Sequence, residues 1–472
     1  MKRTKIVATL GPSSLEKGVL EKLLFAGVNV FRVNFSHGEA EENRKTILTV
    51  QELLKKTKRH ASILADLQGP KLRIGNVEEG AFLNPGDLIT FTNKQCVGTK
   101  EKVFMTYDSF PTDVNVGETI LLDDGKLHLR VVASNLENEV IAETIQGGPL
   151  KSKKGVNLPN TRVSLPCLTD KDIYDLNIAL DTGVDWVGLS FVRGRQDIKD
   201  LRKIITEKKS NAGIIAKIEK PEAVSDIDAI LDETDAVMVA RGDLGVEVPM
   251  ESVPLIQKMI IAKAISRAKP VIVATQMMES MIESLTPSRA EVNDVSCAVI
   301  DGADAVMLSA ETSVGKYPVE VVEAMSKIVK ASEFSNVSRI KGRKPKPEDK
   351  RFISNSLCYH AAKTANLVSA RAICALTFSG YSAKLISSFR PNSNVYVFTS
   401  NRSILNKICL YWGVSGFYYN SMESTDQTFE EISRMLKSLS LVEDRDTIVQ
   451  LASMPIASRG MTNTMRIKQI GH

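Results

Sequence analysis

Two charged segments near the middle of the chain carry residues that could do chemistry. Lys217 and Glu219 end one short apolar run, and Arg241 and Asp243 directly follow another. Glu219 and Asp243 could hold one hard cation such as Mg²⁺, which takes one or two carboxylates and completes its octahedron with water and substrate oxygens. Lys217 and Arg241 could neutralise a phosphorylated substrate beside that cation. Such a set can move a phosphoryl group or stabilise an enolate.

The composition excludes several classes of protein. A chain of 472 residues is expected to form two or three domains. Its net charge of +5 suits anionic substrates and gives little support to nucleic-acid binding. The six cysteines are scattered without a C-x-x-C pair, which argues against a disulfide framework or a zinc site and for a reducing compartment. No run approaches the roughly 20 apolar residues of a membrane span. We therefore expect a cytoplasmic protein without a membrane or nucleic-acid partner.

A repeated pattern predicts the elements that position these residues. The same pattern occurs four times: the end of a helix is followed by Gly or Thr, then by Asn or Asp, and then by an apolar strand that ends in polar residues. Short apolar strands that alternate with helices indicate a parallel sheet covered on both faces. Eight such units favour a closed (β/α)₈ TIM barrel, whose chemistry lies at the C-terminal strand ends, over an open doubly wound sheet. The repeats cover 27–34, 183–190, 234–241 and 302–309, and the other candidate strands are 6–9, 63–66, 214–218 and 271–275.

The alternation stops between about Pro70 and Pro166, where short β segments and turn signals follow one another. This predicts an inserted β-rich domain, expected to be a β-barrel, that would close over the active face as a lid. A basic, proline-bearing stretch at 339–347 is interpreted as a solvated linker, with an anionic-ligand patch as the alternative. The predicted regions are the barrel at 1–69 and 167–338, the lid at 70–166, the linker at 339–352 and a C-terminal α/β domain for regulation or oligomerisation at 353–472.

Six motifs in this order resemble the pyruvate kinase family from Lys2 to the end of the chain. Each motif alone is weak, but six in the same order and spacing are specific. The resemblance implies transfer of the phosphoryl group of phosphoenolpyruvate to ADP in glycolysis, giving pyruvate and ATP, by a homotetramer. The motifs are FRVNFSHG at 31–38, DLQGPKLR at 66–73, IAKIEK at 215–220, ARGDLG at 240–245, ATQMMES at 274–280 and MLSAET at 307–312.

The resemblance also implies roles for individual residues. Glu219 and Asp243 would bind Mg²⁺ or Mn²⁺. Lys217 would lie over the transferring phosphoryl group and then stabilise the enolate oxygen. Arg32 and Arg73 would hold phosphoryl oxygens, for which a planar guanidinium is suited.

The protonation step is implied to involve Thr275, on the enolate face. A threonine hydroxyl is not a strong acid, so a water relay that includes Ser309 and Glu311 is expected. For these two residues, capping of a helix N-terminus remains an alternative. The backbone amides of Gly242 and Asp243 could hold the substrate carboxylate.

A monovalent cation site is implied at Asn34, Ser36 and Asp66, with the carbonyl of Leu67. In K⁺-dependent members a glutamate follows a few residues later, whereas this chain has Lys71 and resembles the K⁺-independent members. An ammonium at Lys71 could supply the charge that K⁺ would bring. We therefore predict activity without added K⁺.

A loop in the C-terminal region, with Thr377, Ser379, Gly380 and Ser382, precedes a helix and resembles the family's effector phosphate loop. Phe378 replaces a lysine that the members activated by fructose-1,6-bisphosphate carry. A phosphorylated effector and a plain capped helix therefore both remain open.

Two other functions compete with phosphoryl transfer. A Schiff-base or metal-dependent barrel aldolase or lyase, acting on pyruvate-like substrates, also uses a lysine at a barrel strand end. The carboxylates of Glu219 and Asp243 favour a metal and disfavour the lowered lysine pKa that a Schiff base needs. A regulatory or nucleic-acid-binding protein that kept the fold is the second alternative, against which the intact Lys217 and Thr275 argue.

Overall fold

The computed structural model describes residues 2–334, 342–421, 424–455 and 460–471, so 335–338 of the predicted barrel segment and 339–341 of the predicted linker lie outside the described residues. Strands β1 to β21 are, in chain order, Lys5–Thr9, Val30–Asn34, Ser62–Asp66, Phe82–Leu83, Leu88–Thr92, Lys102–Phe104, Thr119–Leu122, Leu127–Ser134, Glu139–Gln146, Gly148–Pro149, Val156–Asn157, Trp186–Leu189, Gly213–Ile218, Ala236–Ala240, Val271–Ala274, Ala305–Leu308, Ala372–Leu376, Asn394–Thr399, Val414–Tyr418, Thr447–Ala452 and Thr464–Gln469.

The α-helices surround or connect these strands. Helices α1 to α16 are Lys17–Ala26, Ala40–Thr57, Phe110–Asp113, Asp170–Thr182, Arg195–Glu207, Pro221–Ser225, Ile227–Glu233, Arg241–Glu247, Val253–Ser266, Arg289–Asp301, Ala310–Ser313, Pro318–Glu333, Phe352–Leu367, Tyr381–Ser388, Arg402–Lys407 and Thr425–Ser438. None of the described helices has the length and apolar character that a membrane crossing would require.

Eight strands close into a barrel in the order β1-β16-β15-β14-β13-β12-β3-β2. Every neighbouring pair is parallel, which confirms the predicted (β/α)₈ fold. Buried aliphatic side chains fill the space between the strands and the outer helices, because parallel strands covered on both faces are apolar throughout. The C-terminal ends of all eight strands therefore meet at one mouth.

The repeated sequence pattern has a physical cause at the opposite end of the barrel. Gly27, Gly183 and Gly302 end helices with φ angles of 121°, 87° and 104°, which a residue with a side chain adopts only with strain. The Asn or Asp that follows accepts the amide of the first or second residue of a neighbouring strand and so fixes where that strand begins. These bonds are Ile6 N to Asn29 Oδ1 at 3.1 Å, Ile63 N to Asp185 Oδ2 at 2.8 Å, Ile214 N to Asp235 Oδ2 at 2.9 Å and Val271 N to Asp304 Oδ2 at 3.0 Å.

The lid follows β3 and has its own apolar core. Its six-stranded sheet has the order β11-β7-β8-β9-β5-β6, and β4 and β10 form a separate pair. Single bridges join Arg73 to Gly155 and Ile74 to Met105, beside the two edge strands. Within the described residues, the lid is therefore an open six-stranded sheet whose two edge strands are connected through single bridges at residues 73–74, and the expected β-barrel is not fully closed.

The C-terminal region forms a five-stranded sheet in the order β19-β18-β17-β20-β21, parallel except for β21. Helix α15 and the turn at 408–410 pack against the N-terminal end of the barrel, where Trp186 meets Tyr411 edge to face at 6.4 Å. A buried ion pair joins the same two regions, with Arg390 Nη1 at 2.9 Å from Asp304 Oδ1. All six cysteines are free thiols, as their spacing predicted.

Candidate active site

Lys217 lies at the centre of a charged cluster at the barrel mouth. Its Nζ donates to Ser190 Oγ at 2.7 Å and forms ion pairs with Glu219 Oε1 at 3.0 Å and Asp66 Oδ1 at 3.3 Å. Burial alone would lower the pKa of Lys217, but Asp66 and Glu219 outweigh it and hold that pKa above its ordinary value. The side chain is therefore a fixed ammonium group that is only 12% exposed.

Arg32, in β2, is fixed beside this cluster. Its Nε donates to Asp66 Oδ2 at 2.6 Å and its Nη1 donates to Thr9 Oγ1 at 2.9 Å. Burial opposes the ionisation of Asp66, but Lys217 and Arg32 together lower the pKa of its carboxyl. One buried carboxylate therefore holds two cationic side chains in place, and both cations can face an anionic substrate.

Glu219 follows β13 and is 1% exposed. Its Oε2 accepts the amide of Phe191 at 2.7 Å, and this amide is turned toward the carboxylate by a φ angle of 54° at Phe191. Burial raises the pKa of Glu219, Lys217 opposes that shift, and the carboxylate of Asp243 adds to it. Mutual repulsion between the buried Glu219 carboxylate and the half-buried Asp243 carboxylate is relieved by a cation between them, so the donor set fits a hard divalent ion.

The described residues contain no group of three or more His, Cys, Asp and Glu side chains arranged to hold a metal ion. A site with only two protein carboxylates leaves most coordination positions to water and substrate. This is the arrangement that Mg²⁺ commonly adopts with phosphorylated substrates.

Thr275 directly follows β15, one residue beyond the strand end, although the sequence predicted it within the strand. Its φ of 70° is rare for a β-branched residue and is held by neighbouring contacts. Its Oγ1 donates to the carbonyl of Ala274 at 2.6 Å and accepts the amide of Gly242 at 2.7 Å. In this state, the Gly242 amide that was expected to hold a substrate carboxylate is engaged by Thr275.

Arg241, expected to neutralise a phosphorylated substrate, is paired with protein groups in this structure. Its guanidinium forms two bonds of 2.7 Å to the carboxylate of Asp294 and donates to the Thr275 carbonyl at 2.7 Å. Because a planar guanidinium pairs best with a carboxylate, Asp294 on the adjacent helix α10 takes the charge that the sequence assigned to a phosphate. Arg241 supports the strained backbone of Thr275 instead.

Glu311 braces two loops at the barrel mouth. Its Oε2 accepts the amide of Ser309 at 2.6 Å, and its Oε1 accepts the amide of Met278 at 3.2 Å. Burial raises the pKa of Glu311, and these amide bonds oppose the shift. The Ser309 side chain makes no capping bond at the start of α11. A role of Ser309 and Glu311 in proton relay stays a prediction.

The residues expected to bind a monovalent cation lie together, because Asn34 and Asp66 are register partners in β2 and β3. Asn34 Oδ1 accepts the amide of Ser36 at 3.2 Å, and the Leu67 carbonyl accepts the hydroxyl of Ser190 at 2.6 Å. Lys71 makes no hydrogen bond or ion pair with any of these residues in the described parts of the chain.

Lys71 and Arg73 lie at the start of the lid, just after β3, and not in the Lys217 cluster. Lys71 lines a cleft between the lid and the barrel together with Asp243 and Glu247. Arg73 donates to the carbonyl of Lys153 at 3.0 Å, within the lid. Lys71 thus lies beside Asp243 in that cleft, whereas no hydrogen bond or ion pair joins Arg73 to the Lys217 cluster in the described residues.

Sequence reasoning missed two hydroxyl groups that position the cations. Ser190 connects Lys217 to the Leu67 carbonyl, and Thr9 supports Arg32. Both follow the rule that a polar residue ends a buried barrel strand, so the same pattern that marked Lys217 could have identified them.

The loop at 377–382 lines a pocket of about 340 Å³ in the C-terminal region, with Arg351 and Ser453 on its other walls. Thr377 Oγ1 accepts the amide of Gly380 at 3.0 Å. The hydroxyl groups of Ser382 and Ser453 are buried and have no hydrogen-bond partner among the described residues. Unsatisfied hydroxyls beside an arginine fit an anion, but they do not identify one.

Comparison with known proteins identifies the family that this chain resembles along its length. A family model described as "Pyruvate kinase, barrel domain" matches residues 1–322, and one described as "Pyruvate kinase, alpha/beta domain" matches residues 355–468. The pyruvate kinase of Corynebacterium glutamicum is 43% identical over all of this chain and 98% of its own length.

More distant relatives extend the similarity. The pyruvate kinase of Geobacillus stearothermophilus is 40% identical over 99% of this chain and 80% of its own length. A crystal structure of a pyruvate kinase from Cryptosporidium parvum superposes with a TM-score of 0.93 at 32% identity, covering 99% of this chain and 96% of the other.

Proposed function

The chain belongs to the pyruvate kinase family and is a phosphotransferase that converts phosphoenolpyruvate and ADP to pyruvate and ATP, and we propose that the Lys217 cluster carries this reaction. The observation that supports the proposal is the fixed ammonium group of Lys217 between Asp66, Glu219 and Ser190. An ammonium in this position stabilises negative charge on a transferring phosphoryl group and then on an enolate oxygen. A Schiff base needs a neutral amine, so the raised pKa of Lys217 disfavours the aldolase alternative.

Glu219 and Asp243 would hold Mg²⁺ or Mn²⁺. When bound, the divalent ion would bring the substrate's oxygens together and neutralise part of their charge. The buried position of Glu219 and the repulsion from Asp243 support this assignment.

The other residues of the site bind, orient and protonate the substrate. Arg32 offers its outer guanidinium edge to phosphoryl oxygens, and Arg73 would join it when the lid closes and excludes water. Thr275 lies beside the Gly242 amide, where a substrate carboxylate would displace its hydroxyl. A water relay past Ser309 would then carry the proton to the enolate carbon.

Activity without added K⁺ remains part of the proposal. Asp66, the carboxylate expected to bind K⁺, already has two cationic partners in Arg32 and Lys217. Lys71 lies at the start of the lid and would bring a third cationic group toward Asp66 when the lid closes. Turnover in a buffer free of sodium and potassium tests this, and a strict K⁺ requirement would contradict it.

The remaining expectations concern assembly and regulation. We propose a cytoplasmic, glycolytic homotetramer whose C-terminal pocket takes a phosphorylated effector. Arg351 and the buried hydroxyls of Ser382 and Ser453 support an anion in that pocket. Titration of the chain with fructose 1,6-bisphosphate and with AMP, with turnover at low phosphoenolpyruvate as the readout, tests the effector. Size-exclusion chromatography with light scattering tests the assembly.

The central test is turnover of phosphoenolpyruvate with ADP, coupled to lactate dehydrogenase, with Mg²⁺ omitted in one arm. We expect Glu219→Gln and Asp243→Asn to lose at least 100-fold in kcat, on the order of one lost electrostatic contact to the transition state. Asp228→Asn, on the exposed helix α7, is the matched control and should retain wild-type activity. Undiminished activity of folded Glu219→Gln and Asp243→Asn would refute the assignment.

A further inference from the structure

A second buried carboxylate lies next to the proposed metal ligands. Glu247 is the last residue of α8, and its side chain is 1% exposed. Its Oε1 accepts Lys220 Nζ at 2.7 Å and Asn157 Nδ2 at 2.8 Å. Lys220 lies in the barrel just after β13, and Asn157 lies in lid strand β11. One carboxylate oxygen therefore connects a barrel loop, a helix and the lid.

This network joins the two segments that carry the proposed metal ligands. Lys220 directly follows Glu219 in the chain. Glu247 lies four residues after Asp243 in α8, so the two side chains share one face of the helix. The ion pair between Lys220 and Glu247 therefore limits the distance between the backbones of Glu219 and Asp243. Mg²⁺ accepts little deviation from an octahedron with bonds of about 2.0–2.1 Å, so this distance affects affinity.

The second oxygen of Glu247 lacks a partner. Oε2 is buried and accepts no hydrogen bond in the described parts of the chain. Glu247 and Asp243 together line a cavity of about 30 Å³, with room for a water molecule. A buried carboxylate oxygen without a donor is costly, and a hydrated cation beside Asp243 offers the missing donor. The unpaired Oε2 of Glu247 is therefore consistent with a hydrated cation held by Glu219 and Asp243.

We propose that Glu247 is a positioning residue that holds Glu219 and Asp243 at the separation the divalent cation needs and links that separation to the lid. The inference rests on the proposed function, since it takes Glu219 and Asp243 as the metal ligands. The ion pair with Lys220 connects Glu247 to the segment that carries Glu219, and the hydrogen bond from Asn157 connects Glu247 to the lid. Outer carboxylates that orient metal ligands commonly change metal affinity by about 10- to 100-fold.

The test measures Mn²⁺ binding to the full chain without substrates, by water-proton relaxation. Glu247→Gln and Lys220→Met are each expected to weaken Mn²⁺ binding by about tenfold or more. Lys263→Met is the matched control because it removes a lysine–carboxylate pair of similar length, 2.6 Å, on the outer helices. The control should bind Mn²⁺ within about twofold of the wild type, since exposed ion pairs contribute little.

The outcomes separate this inference from the proposed function. If Glu219→Gln binds Mn²⁺ like the wild type, the metal site itself is wrong. If Glu219→Gln loses binding while folded Glu247→Gln or Lys220→Met binds within twofold of the wild type, the role of Glu247 is refuted. Lys220→Met leaves the carboxylate in place, so it decides the question if Glu247→Gln does not fold.

The link to the lid has its own variant. Asn157→Ala removes the lid's hydrogen bond and leaves the ion pair of Lys220 with Glu247 intact. We expect faster amide hydrogen exchange at residues 155–158 of this variant in Mn²⁺-loaded protein. Exchange at the wild-type rate would overturn the connection to the lid.

Discussion

Replacement of Ser190 by alanine is expected to lower kcat/KM for phosphoenolpyruvate by about 10- to 100-fold. The hydroxyl of Ser190 accepts a hydrogen bond of 2.7 Å from Lys217 and donates one of 2.6 Å to the Leu67 carbonyl. A hydrogen bond to a charged group contributes about 1.5–3 kcal/mol, and each 1.4 kcal/mol is about tenfold in rate. Asp66 and Glu219 continue to hold Lys217 in the variant, so the lower half of this range is expected.

The assay is steady-state turnover coupled to lactate dehydrogenase, with kcat and KM for phosphoenolpyruvate determined separately. Thr234→Val is a matched control, because the buried Thr234 hydroxyl donates to the Ile214 carbonyl at 3.0 Å at the other end of the barrel. The control shares the loss of a buried hydroxyl but should keep wild-type kcat. If Ser190→Ala unfolds at the wild-type temperature and its kcat/KM stays within twofold, the argument for Lys217 positioning fails.

Three further predictions follow from buried charges. Burial raises the pKa of Asp185 from 3.8 to about 7, so the stabilisation present below pH 3.8 is lost as pH rises through 7. The free energy of unfolding in urea, measured for Asp185→Asn minus that for the wild type, should therefore rise by about 1.4 kcal/mol per pH unit between pH 5 and 7. A difference that does not change with pH would contradict this. Arg390→Met leaves Asp304 buried without its cation and should cost about 3–5 kcal/mol in denaturant unfolding, whereas a cost below 1 kcal/mol would show that water reaches the pair. Borohydride with pyruvate should leave Lys217 unmodified by mass spectrometry, since its pKa is raised, and a trapped adduct would revive the aldolase alternative.

Much of the fold could be predicted because its signals are local. A Gly or Thr followed by Asn or Asp and an apolar run marks the start of a strand. The structure explains this pattern, because the Asn or Asp side chain accepts a backbone amide at the start of a neighbouring strand. The C-terminal region was predicted as an α/β domain, and the structure has a mostly parallel sheet there. The lid was predicted as β-rich, but the single bridges at Arg73 and Ile74 depend on pairing with distant strands and left no local signal.

Side-chain partners were harder to predict than side-chain positions. Lys217 lies near the end of the buried strand β13, Arg241 directly follows the buried strand β14, and the sequence treated them alike. Asp294 lies 53 residues beyond Arg241 and captures its guanidinium, whereas Asp66 and Glu219 leave the Lys217 ammonium at the barrel mouth. Which carboxylate comes within reach is decided by helix packing, and helix packing has no signature in a short motif.

The sequence by itself determined the eight-stranded barrel and the identity of the chemical groups at its mouth, because strand ends and apolar runs are read over a few residues. Only the tertiary structure decided how these groups pair. The positive φ angles at Phe191 and Thr275 aim one backbone amide and one hydroxyl, and Glu219 and Gly242, which are distant in sequence, contact these two groups. Electrostatic pairing depends on distances of a few ångströms between residues far apart in the chain, and those distances exist only once the barrel has closed.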